Sequence, residues 1–175
     1  MTSNPISPPI GQVQPTPRPP TRRMQLAWSI KQAPSTVLRI AFATTDRQRV
    51  NQHFGAAEAF AIYEVAPGRA SFVALGEFAA EAMDGNEGKL AAKVDFLAGC
   101  HAVYTMAIGA SAIKQLLSRG IQPIRIGELD AIPVLLEELS DAMRDGGVAW
   151  VDKAMAAQRR SDDRFSAMED EGWDG

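Results

Sequence analysis

The chain has few of the residues that build covalent or metal cross-links. Its 175 residues include one cysteine and two histidines. A single cysteine excludes an internal disulfide, and it also excludes the four-cysteine cages that hold zinc or a resident iron-sulfur cluster. Any metal centre in this protein must therefore be incompletely enclosed by protein ligands.

Long apolar runs and a strong excess of one charge are also missing. The longest apolar runs, such as 131–136, are far shorter than the ~20 residues that cross a bilayer. The net charge of −3 argues against nucleic acid, because phosphate binding needs a basic stripe. We expect a cytoplasmic protein that binds neither nucleic acid nor membrane.

Residues 1–36 differ in composition from the rest of the chain. They hold eight of the eleven prolines and four basic residues, but no acidic residue. This mixture predicts a disordered, basic arm, and its prolines leave no room for the apolar stretch of a secretory signal. We expect the folded domain to occupy 37–147 and a last helix with an acidic tail to occupy 148–175.

Hydrophobic patterning indicates strands and helices that alternate in the second half of the domain. Strands are predicted at 37–44, 59–65, 70–78, 101–104 and 121–126, and helices at 86–99, 109–120, 130–146 and 149–159. The turn at 66–69 predicts an antiparallel hairpin, and the later alternation demands parallel crossovers. The fold class is therefore α/β, with a five-stranded mixed sheet flanked by helices.

Helix ends are also marked in the sequence. Asn86 and Asp130 are good caps for the helices that follow them. Gly99, Gly120 and the pair at 146–147 are expected to end the helices that precede them. Beyond 159 we expect a charged tail, which either docks on a partner or folds back on the domain.

Two loops follow strands that are predicted to be parallel, at 45–55 and 105–110. If these strands are neighbours, both loops face one cleft at the carboxyl end of the sheet, where ligands tend to bind. His53 lies in the first loop and is followed by Phe54 and Gly55. Its imidazole can bind a metal, act as a general base or hold its own loop by a hydrogen bond.

Cys100 and Gly109 are weaker candidates. Cys100 is either a small buried hydrophobe or a thiolate favoured by His101. The amides that follow Gly109 either bind an anion at the helix start or form an ordinary cap.

Catalytic motifs are not apparent in the sequence. A nuclease or hydrolase needs converging carboxylates, and the candidates Asp46, Glu58 and Asp84 are more typical of solvated surface charges. The chain also has no nucleophile elbow and no acid placed to orient a histidine. We therefore expect a protein that is not an enzyme.

Several segments, taken in order, resemble the NifX-type nitrogenase cofactor carriers. They are LRIAFA at 38–43, VNQHFG at 50–55, FAIY at 60–63, GCHAVY at 99–104 and IGASA at 108–112. The tail segments RFSAM at 164–168 and EGWD at 171–174 are similar to the ending of the same family. The resemblance covers 37–175 and leaves the proline-rich arm outside it.

The resemblance implies a ribonuclease-H-like α/β fold without nuclease activity. It also implies a carrier that transiently binds an iron-sulfur precursor of the iron-molybdenum cofactor. The cargo would pass from the NifB enzyme to the NifEN scaffold, and a nitrogenase component is a further candidate partner. The alternative is an interaction module or chaperone for apo-nitrogenase or the scaffold that does not retain metal.

On this basis His53 is predicted as a terminal iron ligand, with Cys100 as a second metal ligand. The predicted cofactor-binding set is completed by Phe54, Gly55, Met106 and Gly109. Some members of the family carry cysteines in the loop after Tyr104, where this chain has threonine and methionine. That difference shifts the expected ligation to His53 or to a weak thioether contact from Met106.

Overall fold

The computed structural model describes residues 36–79, 87–127 and 130–171, and the arm lies outside these ranges. In chain order the described elements are β1 (Leu38–Ala43), β2 (Ala59–Ala66), β3 (Arg69–Glu77), α1 (Glu87–Phe96), β4 (Ala102–Thr105), α2 (Ala110–Ser118), β5 (Gln122–Arg125), α3 (Ile132–Asp145) and α4 (Ala149–Glu171). This order of strands and helices is the predicted one. None of the described helices is long and apolar enough to cross a membrane.

The central strand of the sheet is β1, because the strands are arranged β3-β2-β1-β4-β5. On one side β1 pairs antiparallel with β2, which forms the predicted hairpin with β3. Gly68 lies in the hairpin turn with a φ of 75°, a conformation that favours glycine. On the other side β1 pairs in parallel with β4, and β4 with β5. The five-stranded mixed sheet flanked by helices is thus confirmed.

Alternate side chains of β1 belong to two separate cores. Leu38, Ile40 and Phe42 lie in a cluster with buried residues of α3 and α4. Ala41 and Ala43 lie in a second cluster with buried residues of α1 and α2. Helices therefore cover both faces of the sheet in a three-layer arrangement. Burial on both faces explains why β1 reads as an almost continuous apolar run.

The start of α3 differs from the prediction. Asp130 does not cap this helix; the N-cap is Ala131, and no side chain of the described residues caps it. Main-chain hydrogen bonds with the loop after β1 hold the start of α3 instead. The Ile132 amide donates to the Gln48 carbonyl at 2.8 Å, and the Val50 amide donates to the Asp130 carbonyl at 3.0 Å. Sequence patterns do not reveal such a long-range main-chain cap.

The carboxyl ends of the helices agree with the prediction. Gly99, Gly120 and Gly146 all have positive φ, as expected for residues that end helices. Gly146 is the C-cap of α3, whose predicted apolar stripe is buried. Asn86, the predicted cap of α1, lies outside the described residues.

The last helix is longer than predicted. Instead of ending near 159, α4 continues through the charged segment to Glu171. Glycine and proline do not occur between 149 and 171, so nothing in the chain breaks the helix there. Val151 and Met155 attach the first half of α4 to the core. Phe165 and Met168 in the second half are exposed, so neither folds back on the domain.

Ser140 ties the β2–β3 turn to α3. Its buried hydroxyl accepts a hydrogen bond from the Gly68 amide at 2.7 Å and donates one to the Ala66 carbonyl at 3.1 Å. Ser140→Ala removes the partner of both groups, so we expect the free energy of unfolding to fall by about 1–3 kcal/mol. Ser118→Ala, at an exposed hydroxyl, should change it by less than about 0.5 kcal/mol. Urea unfolding measures both values, and equal losses would contradict this role of Ser140.

Candidate cofactor-binding site

The two candidate loops lie side by side at one edge of the sheet. Each follows one of the neighbouring parallel strands β1 and β4. Because parallel strands end at the same edge, 45–55 and 105–110 emerge together. The predicted proximity of these loops is confirmed.

Hydrogen bonds join the two loops on both sides of His53. The Met106 amide donates to the Gln52 carbonyl at 3.0 Å, and the Phe54 amide donates to the Ala107 carbonyl at 2.8 Å. The fully buried Thr105 hydroxyl lies 3.1 Å from the Gln52 carbonyl and 2.8 Å from the Ala107 carbonyl. It has one proton and donates to one of these carbonyls at a time. The backbone around His53 is therefore fixed.

The side chains of His53 and Phe54 lie in opposite environments. His53 is exposed, so its imidazole is available to a ligand in solvent. Phe54 is completely buried in the core shared with α1 and α2, where its ring centroid lies 5.3 Å from that of Phe60. The structure thus places Phe54 beneath the surface as an anchor of the loop, and not where a surface ligand would touch it.

Gly55 is exposed and leads to a residue that sequence reasoning missed. Its carbonyl accepts a hydrogen bond from the Lys93 ammonium at 2.5 Å. Lys93 is only 7% exposed, and its Nζ lies 5.9 Å from the centroid of the Phe78 ring. Burial lowers the pKa of Lys93, and the charge of Lys89 lowers it further. The sequence does indicate that Lys93 is buried, because Lys93 follows Leu90 by three residues and therefore lies on the same, buried face of α1.

Met106 and Gly109 lie in the second loop, at the same edge as His53. Met106 is partly buried, and Gly109 is the exposed N-cap of α2. Gly109 has an extended conformation, and no side chain among the described residues caps this helix. The predicted residues His53, Gly55, Met106 and Gly109 are therefore brought to one edge of the sheet.

Asp46 organises the beginning of the His53 loop. One of its carboxylate oxygens accepts hydrogen bonds from the amides of Gln48 at 2.7 Å and Arg49 at 3.0 Å, and from the Thr44 hydroxyl at 3.1 Å. These bonds, led by the one from Gln48, lower the pKa of Asp46. Arg47, which lies between Asp46 and Gln48, has a φ of 58°. Asp46 is thus a loop-forming residue rather than a free surface charge.

Cys100 and His101 lie at the opposite edge of the sheet, before β4 begins. The His101 amide donates to the Arg39 carbonyl at 2.7 Å, and the His101 Nδ1 accepts from the Arg39 amide at 2.9 Å. The length of β4, roughly 13 Å at 3.3 Å per residue, separates them from the His53 loop. His53 and Cys100 are therefore not brought together, and one small ligand cannot contact both.

The environment of Cys100 also disfavours metal binding. The side chain is 5% exposed and packs in the core with Val94 and Leu97. Burial raises the pKa of its thiol to about 11, although the charge of Arg39 acts in the other direction. Among the described residues, moreover, no group of three or more histidine, cysteine, aspartate and glutamate side chains is placed to hold a metal ion.

The buried thiol gives a direct prediction. The pKa of Cys100, about 11 against an ordinary 9.0, leaves about a hundredfold less thiolate at pH 8 than an exposed cysteine has. Iodoacetamide should therefore label the folded protein at least about a hundredfold more slowly than the urea-unfolded protein. Mass spectrometry measures both rates, and similar rates would contradict the buried placement.

Comparison with known proteins agrees with this architecture. The chain is a single-cysteine α/β domain that presents a histidine loop at the carboxyl edge of its sheet. Residues 36–141 match the family model described as dinitrogenase iron-molybdenum cofactor. The chain belongs to this family.

Individual relatives extend the match beyond the family model. Protein NifX of Azotobacter vinelandii is 47% identical over 156 residues, which cover 89% of this chain and 98% of that protein. Protein NifX of Herbaspirillum seropedicae is 34% identical over 67% of this chain and 82% of that protein. The FeMo cofactor biosynthesis protein NifB of Bradyrhizobium diazoefficiens is 36% identical over 51% of this chain but only 18% of that protein.

Proposed function

We propose that this protein acts in the biosynthesis of the iron-molybdenum cofactor as a non-enzymatic carrier. It receives an iron-sulfur precursor cluster from the NifB enzyme and passes it to the NifEN scaffold. The observation that carries the proposal is the exposed His53 imidazole between two hydrogen-bonded peptide units. Membership of the dinitrogenase iron-molybdenum cofactor family and the names of the NifX and NifB relatives support it.

The proposed ligation matches the chemistry of a preassembled cluster. In such a cluster sulfide already coordinates most of the iron, so the protein needs to supply few terminal ligands. A neutral imidazole nitrogen is a suitable ligand for iron. A resident cluster is instead held by four protein ligands, mostly thiolates. With Cys100 buried at the far edge, this proposal gives His53 the role of terminal ligand and Cys100 a structural role.

A small number of ligands also suits transfer. A carrier must release its cargo to a protein that binds it more tightly, so very high affinity would work against its function. The His53 edge carries Gly55 and Gly109, whose lack of side chains leaves room for a bulky inorganic core. Met106, partly buried beside them, adds a weak thioether contact.

In this proposal the carboxylates considered from the sequence have no catalytic role. Asp46 is occupied by main-chain amides of its own loop. Glu58 is exposed, and Asp84 lies outside the described residues. A divalent-metal nuclease would need carboxylates converging on one point.

A second candidate function rests on the distal half of α4. Phe165 and Met168 are 68% and 70% exposed there, three residues apart and therefore on one side of the helix. Large exposed apolar side chains are typical of contacts with a protein partner. In this alternative the protein holds a scaffold or a nitrogenase component and retains no metal.

The experiment is anaerobic incubation with the cluster made by the NifB enzyme, followed by gel filtration and iron analysis. His53→Ala should lower the retained iron about tenfold or more, because it removes a terminal ligand from an exposed position. Cys100→Ala is the matched control and should retain iron like the parent, since the thiol is buried elsewhere.

Two outcomes would contradict this account. Equal retention by His53→Ala and the parent would refute ligation by His53. A parent that never retains iron would refute the carrier and favour the interaction module.

A further inference from the structure

We propose that Lys93, a nearly buried lysine, is a positioning residue whose ammonium attracts an anionic cargo to the His53 loop. This inference rests on the proposed function, because it concerns the charge of the cargo at the same edge of the sheet. It assigns to Lys93 a role in selecting a negatively charged cluster, in addition to ligation by His53.

The geometry directs the charge of Lys93 at this loop. Its side chain extends from α1, and Nζ lies 2.5 Å from the Gly55 carbonyl oxygen. Only Phe54 separates Gly55 from His53 along the chain, so the Cα atoms of Gly55 and His53 are at most about 7 Å apart. The ammonium therefore lies within about 12 Å of the His53 Cα, on the loop that carries the imidazole.

Lys93 is unusual because a nearly buried lysine side chain makes no ion-pair contact with a carboxylate among the described residues. Its polar contact there is a neutral carbonyl, and the Phe78 ring lies on another side. Buried lysines are rarely left without a counter-charge, because desolvation of the ammonium is costly. The protein thus keeps a destabilising charge at the candidate site, as expected for a group with a functional role.

In this proposal an iron-sulfide cluster supplies the counter-charge that the described residues do not place beside Lys93. A sulfide-rich core with anionic terminal ligands carries net negative charge, and its attraction to a cation grows as the local dielectric falls. Lys93 lies within the protein, so salt screens this attraction less than it screens an exposed lysine. The account therefore predicts a contribution to cargo binding that persists in concentrated salt.

The test compares three variants by anaerobic gel filtration with the cluster made by the NifB enzyme, in low and high salt. Lys93→Met removes the charge and keeps the length of the side chain, and it should lower retained iron about tenfold in both salts. Lys93→Arg keeps the charge and should recover most of the binding. Lys153→Met is the matched control, since it removes an exposed charge on α4, on the other face of the sheet.

Thermal unfolding of the same variants without cluster separates a positioning role from a structural one. Because Lys93→Met removes a charge that no carboxylate of the described residues pairs, its melting temperature should equal or exceed that of the parent. A lower melting temperature, or failure to fold, would assign Lys93 to the structure and overturn the proposal. Undiminished iron retention in Lys93→Met would overturn it as well.

These failures are distinguishable from failure of the proposed function. A parent that retains iron while Lys93→Met retains as much refutes the role of Lys93 alone. A parent that retains no iron refutes the carrier, and the role of Lys93 falls with it.

Discussion

The parallel pairing of β1 and β4 is the constraint on which the candidate site depends. It brings two loops to one edge of the sheet, and hydrogen bonds from Met106 and Phe54 continue the pairing beyond the strands. The buried Thr105 hydroxyl adds a side-chain hydrogen bond to one or the other of the same two carbonyls. His53 lies between these bonds, so its backbone is held while its side chain remains in solvent. A carrier needs this combination, since a rigid ligand lowers the entropic cost of binding and an open surface permits release.

The two edges of the sheet have different chemistry. At the carboxyl edge lie an exposed imidazole, two glycines and the buried cation of Lys93. At the amino edge His101 bonds the backbone of β1, and Cys100 is packed in the core with a raised pKa. The protein therefore separates its one thiol from the edge proposed to receive the cluster. Few ligands at that edge favour transient rather than permanent binding.

Much of the fold follows from local patterns in the sequence. The apolar run of β1, the Pro67–Gly68 turn and the stripe of α3 each predict an element that the structure contains. The proximity of the His53 loop to Met106 also follows, because parallel neighbours end together. Long-range features do not follow. The main-chain cap of α3 needs a contact with Gln48, and the burial of Phe54 needs the ring of Phe60 beneath it.

The position of Cys100 shows the same limit. Separation along the chain does not show that Cys100 and His53 lie at opposite edges of the sheet; the direction of β4 decides it.

The rigidity of the His53 loop is the central claim, and amide hydrogen exchange tests it most directly. The account predicts that the amides of Phe54 and Met106 exchange as slowly as those within β1. Exchange of both amides at the rate of unbonded, exposed amides would contradict it.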